Sequence, residues 1–280
     1  MTIHIKNGDW EAWIAPDYGM NTLALRWRDI PVLRSPKSMD EFLGAPETFG
    51  TPALIPASRT EGARFSFEGK EYGLPCNEPA RNTHKHGILH KTAFTICSMS
   101  DNSVYGKYRN TGNCFPFPFD IFIGCELGED GYRQQFTVEN TGVTNMPLIF
   151  AIHAAFVKPE TVRVPIEQRW VLTERVLPTG ELVPLDEFEQ AILKGCTLDD
   201  RRIEGCYTSC GRDARIGKFF YRVSQNFTQW IIWNGSGKQG FLCIEPQSGP
   251  INALNMPTCL TVPPGGRIRF STHIGKTNGN

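Results

Sequence analysis

Residues 120–140 read DIFIGCELGEDGYRQQFTVEN, and apolar side chains recur there with a period of two: Ile121, Ile123, Cys125 and Leu127, then Tyr132, Phe136 and Val138, with Gln134 the one polar residue in phase between Tyr132 and Val138. Successive side chains of an extended chain point to opposite faces, so a period of two marks strands with one buried face. Asp130-Gly131 interrupts the period with a dipeptide suited to the tight turn of an antiparallel hairpin. The stretch therefore reads as two strands and a turn.

The same signature extends in both directions. HIKNGDWEAWIAP (4–16), NTLALRWRDIPVLR (21–34), RFSFEGKEYGLP (64–75), SVYGKYRN (103–110), FFYRVSQNFTQWIIWN (219–234) and CLTVPPGGRIRFSTHIG (259–275) alternate or carry β-branched and aromatic residues. Glu68-Gly69 and Pro264-Gly265-Gly266 supply further turns. Helical patterning is confined to SMDEFLGAP (38–46) and LDEFEQAILKG (185–195). No repeat or linker divides the 280 residues, and a large β-sandwich reaches this length as one domain. The expectation is a single all-β domain over 1–280, a large antiparallel β-sandwich of two curved sheets with a few short helices.

Composition excludes several functions. Lys+Arg and Asp+Glu both number 29, and no basic block offers the phosphate-neutralising surface that nucleic acid requires. The first residues lack a basic stretch followed by an apolar one, and no apolar run approaches the ~20 residues of a membrane span. Nine cysteines without a C-x-x-C pair, several within apolar runs such as FTICSM and GFLCIEP, suggest reduced and mostly buried thiols in a cytoplasm. Cys206 and Cys210, in GCYTSC, fit that reading least well.

NTHKHGILHK (82–91) gathers three of six histidines, His84, His86 and His90. His84 and His86 share a strand face and are spaced as a metal pair would be. A cupin-like centre would want a Glu five residues after the second His, where Lys91 stands, and His273, the possible distant ligand, lies in an ordinary terminal strand. No metal or other cofactor is assigned. The glycine after His86 lets the backbone approach a ligand closely, which singles that histidine out.

Two other residues break apolar strands: His153 within PLIFAIHAAF and Glu245 within GFLCIEPQSGP. A buried polar group needs a partner or a purpose. A satisfied core imidazole and a strand-end carboxylate paired with Arg are the ordinary explanations, and two such interruptions weaken both. The chain has no G-x-S-x-G, G-x-G-x-x-G or P-loop pattern. What remains is an acid and a base, which on opposite sides of a sugar hemiacetal can move one proton in and one out.

At this point the chain resembles the aldose 1-epimerase (galactose mutarotase-like) family. The stretches that carry the likeness are TPALIPASRTEGARFSFEGKEYGLPCN (51–77), HKHGI (84–88), AIHAAF (151–156), LPTGEL (177–182) and CIEPQSGPINAL (243–254), in that family's order. The resemblance implies the galactose mutarotase-like supersandwich fold and an isomerase interconverting the α and β anomers of an aldose. It makes His153 the general acid toward the ring oxygen and Glu245 the general base toward the anomeric hydroxyl. Arg59, His86 and Asp199, chosen over Asp200, would hold sugar hydroxyls, with Gln247 lining the pocket. Trp230, Trp233, Phe115 and Phe117 are candidates to stack on the sugar.

Ser58 stands where the family usually has Asn, and Ala154-Ala155 where Pro or Asn and then Tyr are common, so the substrate is open to deoxy, amino or acidic sugars. A hexose-6-phosphate 1-epimerase would need extra cations, for which Arg64, Arg81 and Lys85 are candidates. A non-catalytic carbohydrate-binding protein on the same sandwich is the remaining alternative. The expected partner is a small sugar, with neither nucleic acid nor membrane, for a monomer or homodimer.

Overall fold

Strands at Phe119–Gly128 and Gly131–Asn140 pair antiparallel in continuous register from Phe119↔Asn140 to Gly128↔Gly131, so the stretch that opened the reading is a hairpin at the centre of the molecule. The computed structural model describes residues 2–113 and 115–277. Ser103–Asn110 pairs on one side of this hairpin and the long C-terminal strand Arg267–Lys276 on the other. Nine strands form this sheet, which continues through Phe219–Val223, Asp213–Ile216 and Thr161–Arg163.

A second sheet has Glu204–Ser209, Gln229–Trp233 and Phe241–Gln247 at its centre, with Ile166–Leu172 and Pro178–Pro184 along one edge. Aromatic rings lock the two layers together: Phe136 and Phe270 of the first sheet meet Phe150, and Tyr221 meets Trp230 and Phe156. A smaller four-stranded sheet of residues 3–31 packs through Trp10 and Trp27 onto Phe219. The fold is all-β with mainly antiparallel sheets.

Both expected helices form, at Met39–Gly44 and Glu187–Lys194. The second carries a capping box, in which the Glu189 N–H donates to the Asp186 side chain and the Asp186 N–H to the Glu189 carboxylate. The structure contains no helix long and apolar enough to cross a membrane, among the described residues.

Two expectations need correction. PLIFAIHAAF does not run as one central strand: it breaks into Met146–Leu148, Ala151–Ile152 and Ala155–Val157, with His153 in a gap. Across that gap the His153 N–H leaves the ladder to donate to Pro52 O at 3.0 Å. Nor are the cysteines mostly buried. Cys125, Cys206 and Cys243 are, whereas Cys76, Cys97 and Cys210 are exposed and Cys196 and Cys259 lie between; Cys114 is outside the described residues. Cys97 is exposed because Thr95–Met99 is the outer strand of its sheet and buries little of either face.

Candidate active site

The register of the second sheet assembles the site. Ala151 pairs with Gln247 and Ala155 with Cys243, so His153 falls opposite Glu245 on the neighbouring strand. Their side chains meet, His153 Nε2 lying 3.2 Å from Glu245 Oε1, and both are almost wholly buried. Two residues about ninety positions apart in sequence are thus a cross-strand pair. They stand side by side rather than on opposite flanks of a cleft.

Both line a cavity of about 300 Å³, at the lower end of the range for small-molecule sites. His86 lines it too, its ring edge-on to His153 with centroids 5.4 Å apart. Left-handed backbone puts it there: φ is +56° at Ser58, +63° at His86 and +60° at Gly87, and the His86 N–H donates to Ser58 O at 2.8 Å. A Cβ on Gly87 would lie 1.9 Å from Ile55 O, so this approach of two backbones requires glycine.

Arg59 reaches the cavity held by Glu78 in a two-pronged contact, Nε to Oε2 at 2.7 Å and Nη2 to Oε1 at 3.0 Å. Burial alone would raise the Glu78 pKa, but hydrogen bonds from Arg59, Thr83 and Arg81 overcome it and hold the carboxyl at about 2. Glu78 is thereby a fixed anion that aims Arg59. On the wall, Leu172, Val176, Ile231, Ile251 and Trp233 supply apolar surface, and Lys85 is 3.5 Å from Glu47.

Electrostatics at the pair are dominated by desolvation. Burial pushes Glu245 up to about 8 against the opposing pull of Lys85, a hydrogen bond from Gln247 and Arg59. Burial likewise lowers His153 to about 3, with Lys85 adding to the effect. His86 is driven well below its ordinary value, again by burial first, so at neutral pH it is an uncharged ring able to donate from one nitrogen and accept at the other.

Not every expected residue joins the cavity. Gln247 sits behind Glu245, off the wall, and its Nε2 donates to Ser58 Oγ at 3.1 Å. Asp199 points away: its side chain is 61% exposed and folds back to accept the Arg201 N–H at 2.8 Å. Asp200 pairs outside the cavity with Lys158. Three residues further on, Arg202, Glu204 and Gly205 provide what that segment contributes to the wall.

Of the four aromatics only Trp233 lines the cavity; Trp230 is packed in the core, and Phe115 and Phe117 stack with Phe65 and Tyr72. His84 and His90 are buried away from it, and His84 Nδ1 is 2.7 Å from Pro75 O. His84, His86, His90 and His273 do not come together. Among the described residues, the donors close enough to share a metal ion are His153, Cys243 and Glu245.

Residues 1–275 match the sequence pattern of the family described as aldose 1-epimerase. The chain belongs to the aldose 1-epimerase family. Solved structures agree on the fold. A galactose mutarotase-like protein from Clostridium acetobutylicum superposes with a TM-score of 0.92 at 24% identity, over 99% of this chain and 95% of the other. An Escherichia coli K12 protein, a putative aldose 1-epimerase by its description, gives 0.86 at 19% identity over 98% of each chain. Galactose 1-epimerase from Lactobacillus acidophilus gives 0.81 at 13% identity, over 100% of this chain and 95% of that one.

Sequence reasoning about this aldose 1-epimerase family member missed Glu78, Glu47 and Glu204. Glu78 is 19 residues from Arg59 and reaches it only because Arg59–Glu61 pairs with Thr83–Lys85, a ribbon that sequence spacing does not announce. Cys243 was open to discovery, since a residue two before Glu245 on a strand shares its face.

Proposed function

We propose that this protein is an aldose 1-epimerase whose His153 and Glu245 open and close the sugar ring by general acid and base catalysis. The observation that carries the reading is the 3.2 Å contact between the two side chains at the wall of a sugar-sized cavity. The ring oxygen and the anomeric hydroxyl are bonded to one carbon, so the groups that serve them must be neighbours. Glu245 accepts the hydroxyl proton, the bond from the anomeric carbon to the ring oxygen breaks, and the ring oxygen takes a proton from His153. Rotation about the next carbon–carbon bond and the reverse transfers close the other anomer. Two protons move and one C–O bond is broken and remade, with no net oxidation.

His86 and Arg59 hold hydroxyls, Arg59 with the donors that Glu78 leaves unused, and Trp233 offers a ring face to the apolar side of the sugar. Acid and base assistance are each worth about 10²- to 10⁴-fold. Accordingly, Glu245→Gln and His153→Ala should each slow anomer exchange by about 10²-fold or more while melting cooperatively. NMR exchange spectroscopy on α-glucose and α-galactose measures this; either variant exchanging at the wild-type rate removes the assignment.

A hexose phosphate is the second reading, favoured by Arg81 and Lys85 on the cavity wall, where Arg64 does not appear. Together with Arg59 these cations share two carboxylates, Glu78 between Arg59 and Arg81 and Glu47 for Lys85, so one positive charge is left over against the two of a phosphate, which favours a neutral sugar. Comparing glucose with glucose 6-phosphate in the same experiment decides between them: faster exchange of the phosphate would reverse the order.

A further inference from the structure

The strand Phe241–Gln247 presents Cys243 and Glu245 on one face, and His153 lies opposite Glu245. One donor atom from each of the three lies within 4.8 Å of the others, and all three residues are buried. The acid–base chemistry uses His153 and Glu245 and leaves the thiol without a task. We propose that His153, Cys243 and Glu245 form a binding site for a thiophilic divalent cation, Zn²⁺ foremost, and that its occupancy blocks anomerisation.

Donor chemistry and spacing both point this way. Imidazole, thiolate and carboxylate are the ligand types that zinc takes, and three protein ligands leave a fourth position for water or a hydroxyl, here on the cavity side. With metal–ligand bonds of about 2.0–2.3 Å, tetrahedral donors stand about 3.3–3.6 Å apart. The His153 to Glu245 distance of 3.2 Å already meets that requirement. All three donors lie within 4.8 Å of one another, so the Cys243 thiolate has to move in by no more than about 1.2 Å to reach tetrahedral spacing.

The Gln247 amide supports the carboxylate from behind, as an outer partner of a ligand would. Binding is balanced by loss of the thiol proton and of the proton held by the His–Glu pair. With both catalytic groups ligated, neither can serve a sugar. The inhibitory effect rests on the acid–base reading; the binding does not.

Zinc chloride titrated into the full chain by calorimetry should bind one ion per chain at this site, and Cys243→Ser should weaken that binding about tenfold or more. Magnesium chloride should not compete, because a hard cation gains nothing from a thiolate. Cobalt(II) supplies an independent reading on the wild-type protein: a sulfur-to-cobalt charge-transfer band in the near ultraviolet that Cys243→Ser abolishes. The exposed Cys76, Cys97 and Cys210 are unchanged in that variant and serve as its background. Should Cys243→Ser fold poorly, Cys243→Ala replaces it. Zinc affinity or a cobalt band unaltered by loss of Cys243 overturns the site. Zinc bound through Cys243 with undiminished anomer exchange overturns the inhibition and places the fault in the acid–base assignment.

Discussion

An imidazole pushed down to about 3 and a carboxyl pushed up to about 8, in contact with each other, hold one proton between them across the intervening pH range. One proton shared by two groups always leaves one donor and one acceptor, which is what the proposed ring opening requires. Burial alone places that proton on Glu245, and transfer across the 3.2 Å contact gives the tautomer that the proposed role of His153 as acid calls for. The limits belong to the pair rather than to either residue. The expected pH profile of kcat/KM is a broad bell: activity falls on the acid side as a second proton is taken up, and on the alkaline side near pH 8 as the shared one is lost. Initial rates across the range measure it, and an alkaline limb that survives in Glu245→Gln's residual activity would assign that limb to another group.

The elements that hold these residues are short and bent. Positive φ at Ser58, His86, Gly87 and Asn252 clusters around the cavity, and the Asn252 N–H donates to Arg59 O at 2.9 Å, so one strained segment braces another. Gly87→Ala would thrust a methyl group 1.9 Å from Ile55 O in a backbone that L-residues rarely adopt. It should lower stability by about 1–3 kcal/mol and raise KM through displacement of His86. Urea unfolding with anomer-exchange kinetics tests this, and a variant within about 0.5 kcal/mol of wild type would show that the loop relaxes freely. The same contrast explains what sequence could disclose. The hairpin of 119–140 and the helix at Glu187–Lys194 follow from local period and spacing, and His153 and Glu245 stand out as polar breaks in apolar runs. Glu78 beside Arg59, and Asp199 turned back on its own backbone, depend on how separate ribbons and turns meet, for which no local pattern exists.

Across the whole molecule, the site trades against stability. The two cations near Glu245 are already engaged, Arg59 by Glu78, which Arg81 shares, and Lys85 by Glu47, so the Glu245 carboxylate is poorly compensated. Its pKa rises from 4.5 to about 8 on folding, so the stability it contributes is complete below about pH 4.5 and is lost as pH climbs through 8. His153 behaves oppositely: with its pKa lowered from 6.5 to about 3, its contribution is complete above about pH 6.5 and is lost as pH falls toward 3. Between 4.5 and 6.5 the two slopes cancel, and above 6.5 only the loss from Glu245 remains. Glu245→Gln keeps the shape and removes the titration. Its stability relative to wild type should therefore grow with pH, by on the order of 1 kcal/mol per unit between about pH 5 and pH 8. Urea unfolding of both proteins at those two pH values measures the difference. A gap that stays constant from pH 5 to pH 8 would mean that Glu245 is ionised in the folded protein throughout. Growth of the gap would show that the buried Glu245 carboxyl is protonated in the folded protein and weakens the fold as pH rises toward 8.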